Sequence, residues 1–338
     1  MNYKNLTLEK GMYCNPNKSF SQILEELDPS ENYSGSNLEN LDAFQRQLKR
    51  FDIKVNGPNS DFVSKFFETN NSRVLFPEFL ARSITDGISK NNILKSIVVT
   101  QNKIDSLNYH NIEIDSNNEA NSKLEVVDEG QKISEINLKI NENSIKLKKF
   151  ARLFNTSYEM LQFQKIDPFK IALNRIGHCL GTALTAEAID VLIKGDNNNP
   201  AEVLQTTAPN KISYNDLINV WTKFEDFEMN TILAHPAMVV KIAEIEELKN
   251  PISKLNFPIS GTTTTPLGAT IVRTNVAPKD SLIFLDRNFA LNQIIAKDIT
   301  VESDKLIDKQ ISRTVIYTIN GFSKICKNAC CVLKLKSA

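Results

Sequence analysis

Signs of chemistry are what this sequence has least of. Its 338 residues hold three histidines and five cysteines. There is no Gly-x-x-x-x-Gly-Lys-Ser/Thr loop, no Gly-x-Gly-x-x-Gly, no His-Glu-x-x-His and no Cys-x-x-Cys. The sequence marks of phosphate-cradling loops, dinucleotide folds, zinc hydrolases and thiol redox centres are therefore missing. Net charge is missing too: 40 Lys and Arg balance 40 Asp and Glu, which argues against a chain whose task is to coat nucleic acid. Met1 to Phe20 contains no apolar h-region, so no secretory signal is visible. No unbroken apolar run approaches the ~18 residues that span a bilayer. Cys14, Cys179, Cys326, Cys330 and Cys331 are odd in number and scattered, which fits reduced thiols in a cytoplasmic setting.

What is present is one long stretch. Asp167-Pro168-Phe169 through Ile193-Lys194-Gly195 reads as a single helix of roughly 27 residues, about 40 Å long. Asp167 is a good N-cap, Pro168 suits the first helical position, and Gly195 supplies a left-handed stop. Lys170, Asn174, His178, Thr182 and Thr185 keep one narrow stripe polar, while Phe169, Leu173, Ile176, Leu180, Ala183, Leu184, Val191 and Leu192 make the rest apolar. A helix so much longer than the usual three turns reads as a girder rather than a catalytic element.

Ahead of it, residues 1–73 read as an arm of short helical pieces. Ser36-Asn37-Leu38-Glu39 has the pattern of a capping box ahead of Leu41, Phe44 and Leu48, and Asp61 to Glu68 forms a further piece around Phe62, Phe66 and Phe67. None can build a core alone, so their apolar faces must dock on this subunit or on a neighbour. Leu75 to Gly87 is helical and Ile97 to Thr100 a strand. From about Ile104 to Lys149 the text turns polar and Asn-rich. Alternation at Ile136, Leu138, Ile140, Ile145 and Leu147 around Asn141-Glu142-Asn143-Ser144 predicts a β-hairpin within a long two-stranded ribbon. Such a ribbon is marginal without a partner. After Pro200 come helices at Tyr214–Glu225 and Ala237–Leu248. Strands are expected at Thr231–Ala234, Ala269–Arg273, Ser281–Asp286, Ile294–Val301, Ile311–Phe322 and Cys330–Leu335, in an α+β order without regular βαβ alternation.

The few reactive side chains do not converge. His178 and Cys179 are adjacent on a helix and point about 100° apart, so they cannot act as base and nucleophile. His235 precedes Pro236 at a strand end and reads as structural, and His110 lies in the ribbon. Cys326 and Cys330 would share a strand face with Cys331 on the other, which favours small buried hydrophobes over a closed metal site. Gly177 and Gly181 imply that another element approaches the girder closely. Lys324, Lys327, Lys334 and Lys336 give the C-terminal end a modestly basic character, read as a solvated face, with weak contact to a polyanion as the sharper alternative.

The order of these parts resembles the major capsid protein of tailed bacteriophages and prophages, a fold shared with encapsulins and the herpesvirus capsid floor. The resemblance runs from Leu75-Phe76-Pro77-Glu78-Phe79 through Asp128-Glu129-Gly130, Ser157-Tyr158-Glu159-Met160-Leu161, Lys194-Gly195-Asp196-Asn197 and Leu233-Ala234-His235-Pro236. It ends in Leu267-Gly268-Ala269-Thr270-Ile271-Val272 and Ser281-Leu282-Ile283-Phe284-Leu285-Asp286. It implies an N-terminal arm at 1–73, an extended (E) loop at 104–148 and a peripheral (P) domain at 74–103, 149–200 and 297–327 with its spine helix at about 168–194. The axial (A) domain would take 201–296 and 328–338, with Thr262 to Pro266 as a candidate axial tip. It implies no enzyme, no cofactor, no metal and no membrane, but a virion shell assembled in the bacterial cytoplasm from pentamers and hexamers. Expected partners are other copies of the chain, scaffolding, portal and decoration proteins, and packaged DNA through weak contact. Lys103, Lys123, Lys132 and Lys139 are available for the lysine–asparagine cross-link of some relatives, though none can be assigned to it. An encapsulin-type compartment is the alternative, against which the length of the N-terminal segment speaks.

Overall fold

The computed structural model describes residues 3–14, 18–90, 93–114, 126, 128–130, 138–196, 199–249, 262–265 and 267–337. The chain divides into two compact units, one of residues 1–91, 151–181 and 299–318, the other of residues 92–150, 182–298 and 319–338.

The first unit is built on helices α1 (Phe20–Leu27), α2 (Ala43–Arg50) and α3 (Asn70–Ser89), with α4 (Tyr158–Phe163) and the first half of α5 (Ile166–Lys194). The N-terminal helices start on side-chain caps. Ser19 and Gln22, Asp42 and Gln45, and Thr69 and Ser72 each satisfy one another's backbone N–H groups. The capping box thus lies at Asp42, not at Ser36-Glu39, because Glu39 is drawn back to accept from the Gly35 N–H. Among the described residues of 1–73, Leu8, Phe20, Leu24, Phe44, Leu48, Val63 and Phe66 are buried in one core with Leu75, Phe79, Leu80, Phe169 and Leu173, so these pieces have apolar contacts on their own subunit.

Two polar devices hold this layer. Arg46, fully buried, donates from Nε to Asp28 Oδ2 at 2.7 Å and from Nη1 to Ser30 and the Leu41 carbonyl. Inside α3, Pro77 interrupts the backbone ladder. At that step the Tyr13 hydroxyl donates to the Val74 carbonyl (2.7 Å) and accepts from the Glu78 N–H (3.2 Å). These are the two groups that would pair in an unbroken helix.

The second unit is a six-stranded sheet in the order β5 (Glu202–Pro209), β12 (Cys330–Lys336), β9 (Ser281–Leu285), β6 (Thr231–Ala234), β8 (Thr270–Arg273), β7 (Thr262–Thr264). Alternate residues of each central strand face opposite layers. Ile232, Phe284, Cys331 and Leu333 pack on α6 (Tyr214–Trp221) and α7 (Pro236–Ala243), through Leu217, Val220, Met238 and Ile242. Leu233, Ile283, Leu285, Cys330 and Val332 pack on the second half of α5, through Leu184, Ala188, Ile189 and Leu192. Burial on both faces explains why β6 and β9 read as unbroken apolar runs. The expected helix 237–248 is divided, with α8 (Glu246–Lys249) following α7 after a break.

A second sheet runs β1 (Val98–Lys103), β10 (Leu291–Leu306), β11 (Ile311–Lys324), β4 (Lys148–Ser157). The ribbon is the antiparallel pair β2 (Asn108–Ile114) and β3 (Leu138–Lys146). Asn141–Ser144, expected as the hairpin turn, lies inside β3. The register slips there, from His110 opposite Ser144 to Ile112 opposite Ile140, so the polar cluster forms a bulge, for which turn residues serve equally well. The expected strand residue Ile136 and the Asn-rich 115–121 lie outside the described residues.

Helix α5 carries its stop at Gly195, φ +80°. Its burial departs from the expected stripe: Thr185 is buried, whereas Ile171 and Ala183 are exposed. By length and composition alone it would pass as a membrane-crossing helix. Phe169 and Leu173 belong to one core and Leu184 and Leu192 to another, so part of its apolar surface is buried within the protein.

Candidate assembly surfaces

Among the described residues the reactive side chains do not gather at one place. His178 is exposed on α5 and His110 on the ribbon. His235 is the N-cap of α7, its Nδ1 accepting from the Ala237 N–H at 3.2 Å. Cys330 and Cys331 face opposite layers of the six-stranded sheet. Burial pushes the Cys330 thiol up to about 12 and the Cys331 thiol up to about 11, so both stay protonated and unreactive. Among the described residues no group of three His, Cys, Asp or Glu is set to hold a metal.

The C-terminal lysines are not one basic face. Lys324 is fully buried, and its Nζ donates to the Asn199 carbonyl at 3.1 Å and lies 3.5 Å from the Leu192 carbonyl. It neutralises the negative end of α5 from inside the protein, and burial lowers its pKa. Lys334 lies 3.6 Å from Asp280, which leaves Lys327 and Lys336 exposed. Among the ribbon lysines, Lys103 pairs with Asp298, Lys123 and Lys132 lie outside the described residues, and nothing is described of the Lys139 side chain.

Two clefts border the turn after α6. One, of about 570 Å³, is lined by Trp221, Phe224, Phe227, Met229 and Leu267 with Glu225 and Glu228 at its edge. The other, about 520 Å³, contains Lys223 and Glu202, which pair at 2.9 Å, and the two protonated thiols. Neither gathers a nucleophile, a base and an orienting group.

The larger exposed features are surfaces. The ribbon presents Leu107 and Ile140, more than half exposed. Around α4, Met160, Phe163 and Phe62 stand in solvent. Large apolar side chains left uncovered on preformed elements are what an assembling subunit presents to its neighbours.

Comparison with solved structures gives the same answer for the fold. The chain is similar to the virus-like particle protein of Pyrococcus furiosus (13% identity, TM-score 0.53, covering 77% of this chain and 99% of that one). It is similar to the encapsulin complex of Synechococcus elongatus (11%, 0.55, 71% and 86%) and to the capsid of a native GTA particle (13%, 0.54, 73% and 91%). No curated protein matches it in sequence. At 11–13% identity the structural likenesses show the shared fold alone. The phage capsid protein family model matches residues 141–320, just over half of the chain, and the chain belongs to that family.

Proposed function

We propose that the chain is the major head protein of a phage or prophage, a structural subunit that closes into an icosahedral shell of pentamers and hexamers around DNA. The family match over residues 141–320, which include α5, carries this reading. The β2–β3 ribbon at 104–148 serves as the E-loop laid over an adjacent subunit, because a two-stranded ribbon with exposed apolar side chains gains its stability from a neighbour. Residues 201–296 and 328–338 serve as the A domain around the axes, and 74–103, 149–200 and 297–327 as the P domain. The described residues of 1–73 act as a fixed layer on the first unit's core. Head-to-tail contacts of this kind close into rings and shells. Assembly takes place in the host cytoplasm, with scaffolding, portal and decoration proteins as partners. A balanced net charge limits the wall to weak contact with DNA that is driven in from outside.

The likeness to the encapsulin complex supports a second reading, a compartment loaded with protein. Electron microscopy of the purified full chain decides whether there is a shell, and nuclease-protected DNA in particles made alongside the portal separates the two readings. Closed particles with protected DNA are expected. A chain that stays monomeric across salt, pH and concentration sinks both.

A further inference from the structure

The chain contains two Asn-Gly pairs, Asn56-Gly57 and Asn320-Gly321. Glycine has no side chain to shield its backbone nitrogen, so that nitrogen can reach the carboxamide carbon of the asparagine before it. The fold puts the two pairs in opposite situations. Asn56-Gly57 stands in a short loop that is closed by the Lys54 N–H on Asp61 Oδ2 (2.7 Å) and the Asp61 N–H on the Lys54 carbonyl (2.9 Å). Asn56 is exposed, Gly57 has φ +82°, and a Cβ built on Gly57 would meet nothing within 4 Å. From the long helix, Lys170 Nζ donates to Asn56 Oδ1 at 3.0 Å, and just ahead of it Lys165 Nζ donates to the Pro58 carbonyl at 2.9 Å. Asn320-Gly321 lies inside β11. Asn320 is 3% exposed and its Oδ1 accepts from Gln293 Nε2 at 3.0 Å, while a Cβ on Gly321 would lie 2.3 Å from Leu147 Cδ2. A packed strand withholds the rotation that attack requires.

We propose that Asn56 is a self-modification site: in the folded protein its carboxamide is hydrolysed to aspartate and isoaspartate, with water as co-reactant, while Asn320 keeps its amide. The Gly57 nitrogen gives its proton to a solvent base and bonds to Asn56 Cγ. The carbonyl electron pair moves onto Oδ1, where the Lys170 ammonium meets the developing charge. The Cγ–Nδ2 bond then breaks, ammonia leaves, and a five-membered imide is closed. Water opens that ring at either carbonyl, so a carboxylate replaces the amide. The loop gains one negative charge near Lys170, a new ion pair between the N-terminal layer and α5. The proposal is independent of the shell reading.

The test is storage of the purified full chain in mildly alkaline buffer at body temperature, beside the same chain unfolded in urea, with peptide mapping by mass spectrometry and labelling by an isoaspartate methyltransferase. In the folded chain Asn56 should convert about tenfold or more faster than Asn320, because the buried strand must open first. In urea the two should convert at similar rates. An intact Asn56 in the folded chain after the unfolded chain has converted overturns the site, and so do equal rates at Asn56 and Asn320 in the folded chain. Lys170→Ala should slow conversion at Asn56 about threefold or more, a smaller effect than for a buried oxyanion donor because this one stands in water. An unchanged rate in that variant overturns the part given to the lysine. The contrast between the two asparagines is read in the wild-type chain, so it decides the site even if Lys170→Ala misfolds.

Discussion

Tyr13 shows how one hydroxyl can fix a long stretch of chain. It fills the step that Pro77 opens in α3, and its ring stacks on Phe20 at 4.4 Å. Tyr13→Phe keeps the stack and strands the Val74 carbonyl and Glu78 N–H, so unfolding free energy should fall by about 1–3 kcal/mol in a denaturant titration. Asp216 is the second such residue. Burial opposes its charge, but bonds from the Thr207 hydroxyl and N–H and the Ser213 N–H and hydroxyl outweigh burial and hold its pKa below the usual carboxylate range. The folded value lies below the unfolded one, near 4. The stabilisation is therefore complete above the unfolded value and lost as pH falls towards the folded one. Asp216→Asn should lower the urea midpoint at about pH 7 and flatten the further loss below about pH 4. An acid limb as steep as in wild type would contradict this. The capping pattern Ser213-Tyr214-Asn215-Asp216 announces part of the second role, whereas nothing local displays that of Tyr13. Tyr13 and Val74 are 61 positions apart, and Lys324 looked like part of a basic surface because nothing local announces that the end of α5 folds over it.

At the scale of elements, the crossing of α3 and α5 is the tightest joint in the first unit. A Cβ on Gly177 would lie 2.1 Å from the Ile84 carbonyl oxygen, and one on Gly87 would lie 2.1 Å from that of Asn174. At Gly181 the nearest atom is the Ile88 Cγ2, at 3.4 Å. Gly177→Ala should destabilise by about 1–3 kcal/mol because backbone must move. Gly181→Ala should be neutral or stabilising by up to about 1 kcal/mol through helix propensity. Thermal melts of the pair read the contrast directly, and equal losses would refute the joint. This crossing was legible, since small residues four apart announce a close neighbour. So was α5, stopped at Gly195 as expected though it starts at Ile166, with Asp167 and Pro168 inside its first turn rather than at the cap and first position, and so were the apolar strands β6 and β9. The ribbon turn was not, because Asn141–Ser144 is turn chemistry whether it closes a hairpin or bulges a strand. Nor was the docking of residues 1–73: α2 is amphipathic wherever its partner lies, and only the folded chain shows Phe44 and Leu48 against the core.

At the scale of the whole molecule, the balance is between surfaces satisfied within one copy and surfaces left for others. Three apolar clusters are built within one chain, and the buried polar groups Arg46, Asp216 and Lys324 find their partners there. Among the described residues the large apolar side chains left open include Leu107 and Ile140 on the ribbon and Met160 and Phe163 on α4, and others elsewhere such as Ile171, Trp221 and Val240. The sequence of such an edge looks like ordinary surface until its neighbours are known. The identity of the class was readable from the order of the parts, while the residues that make contact were not, because exposure is a property of the fold.

The first unit draws on three separated lengths of chain, the last of them residues 299–318, and Ile316 lies in its core. The core around the opening helices therefore closes only once the chain has been made as far as Ile316, and a shorter chain leaves the apolar faces of those helices partly uncovered.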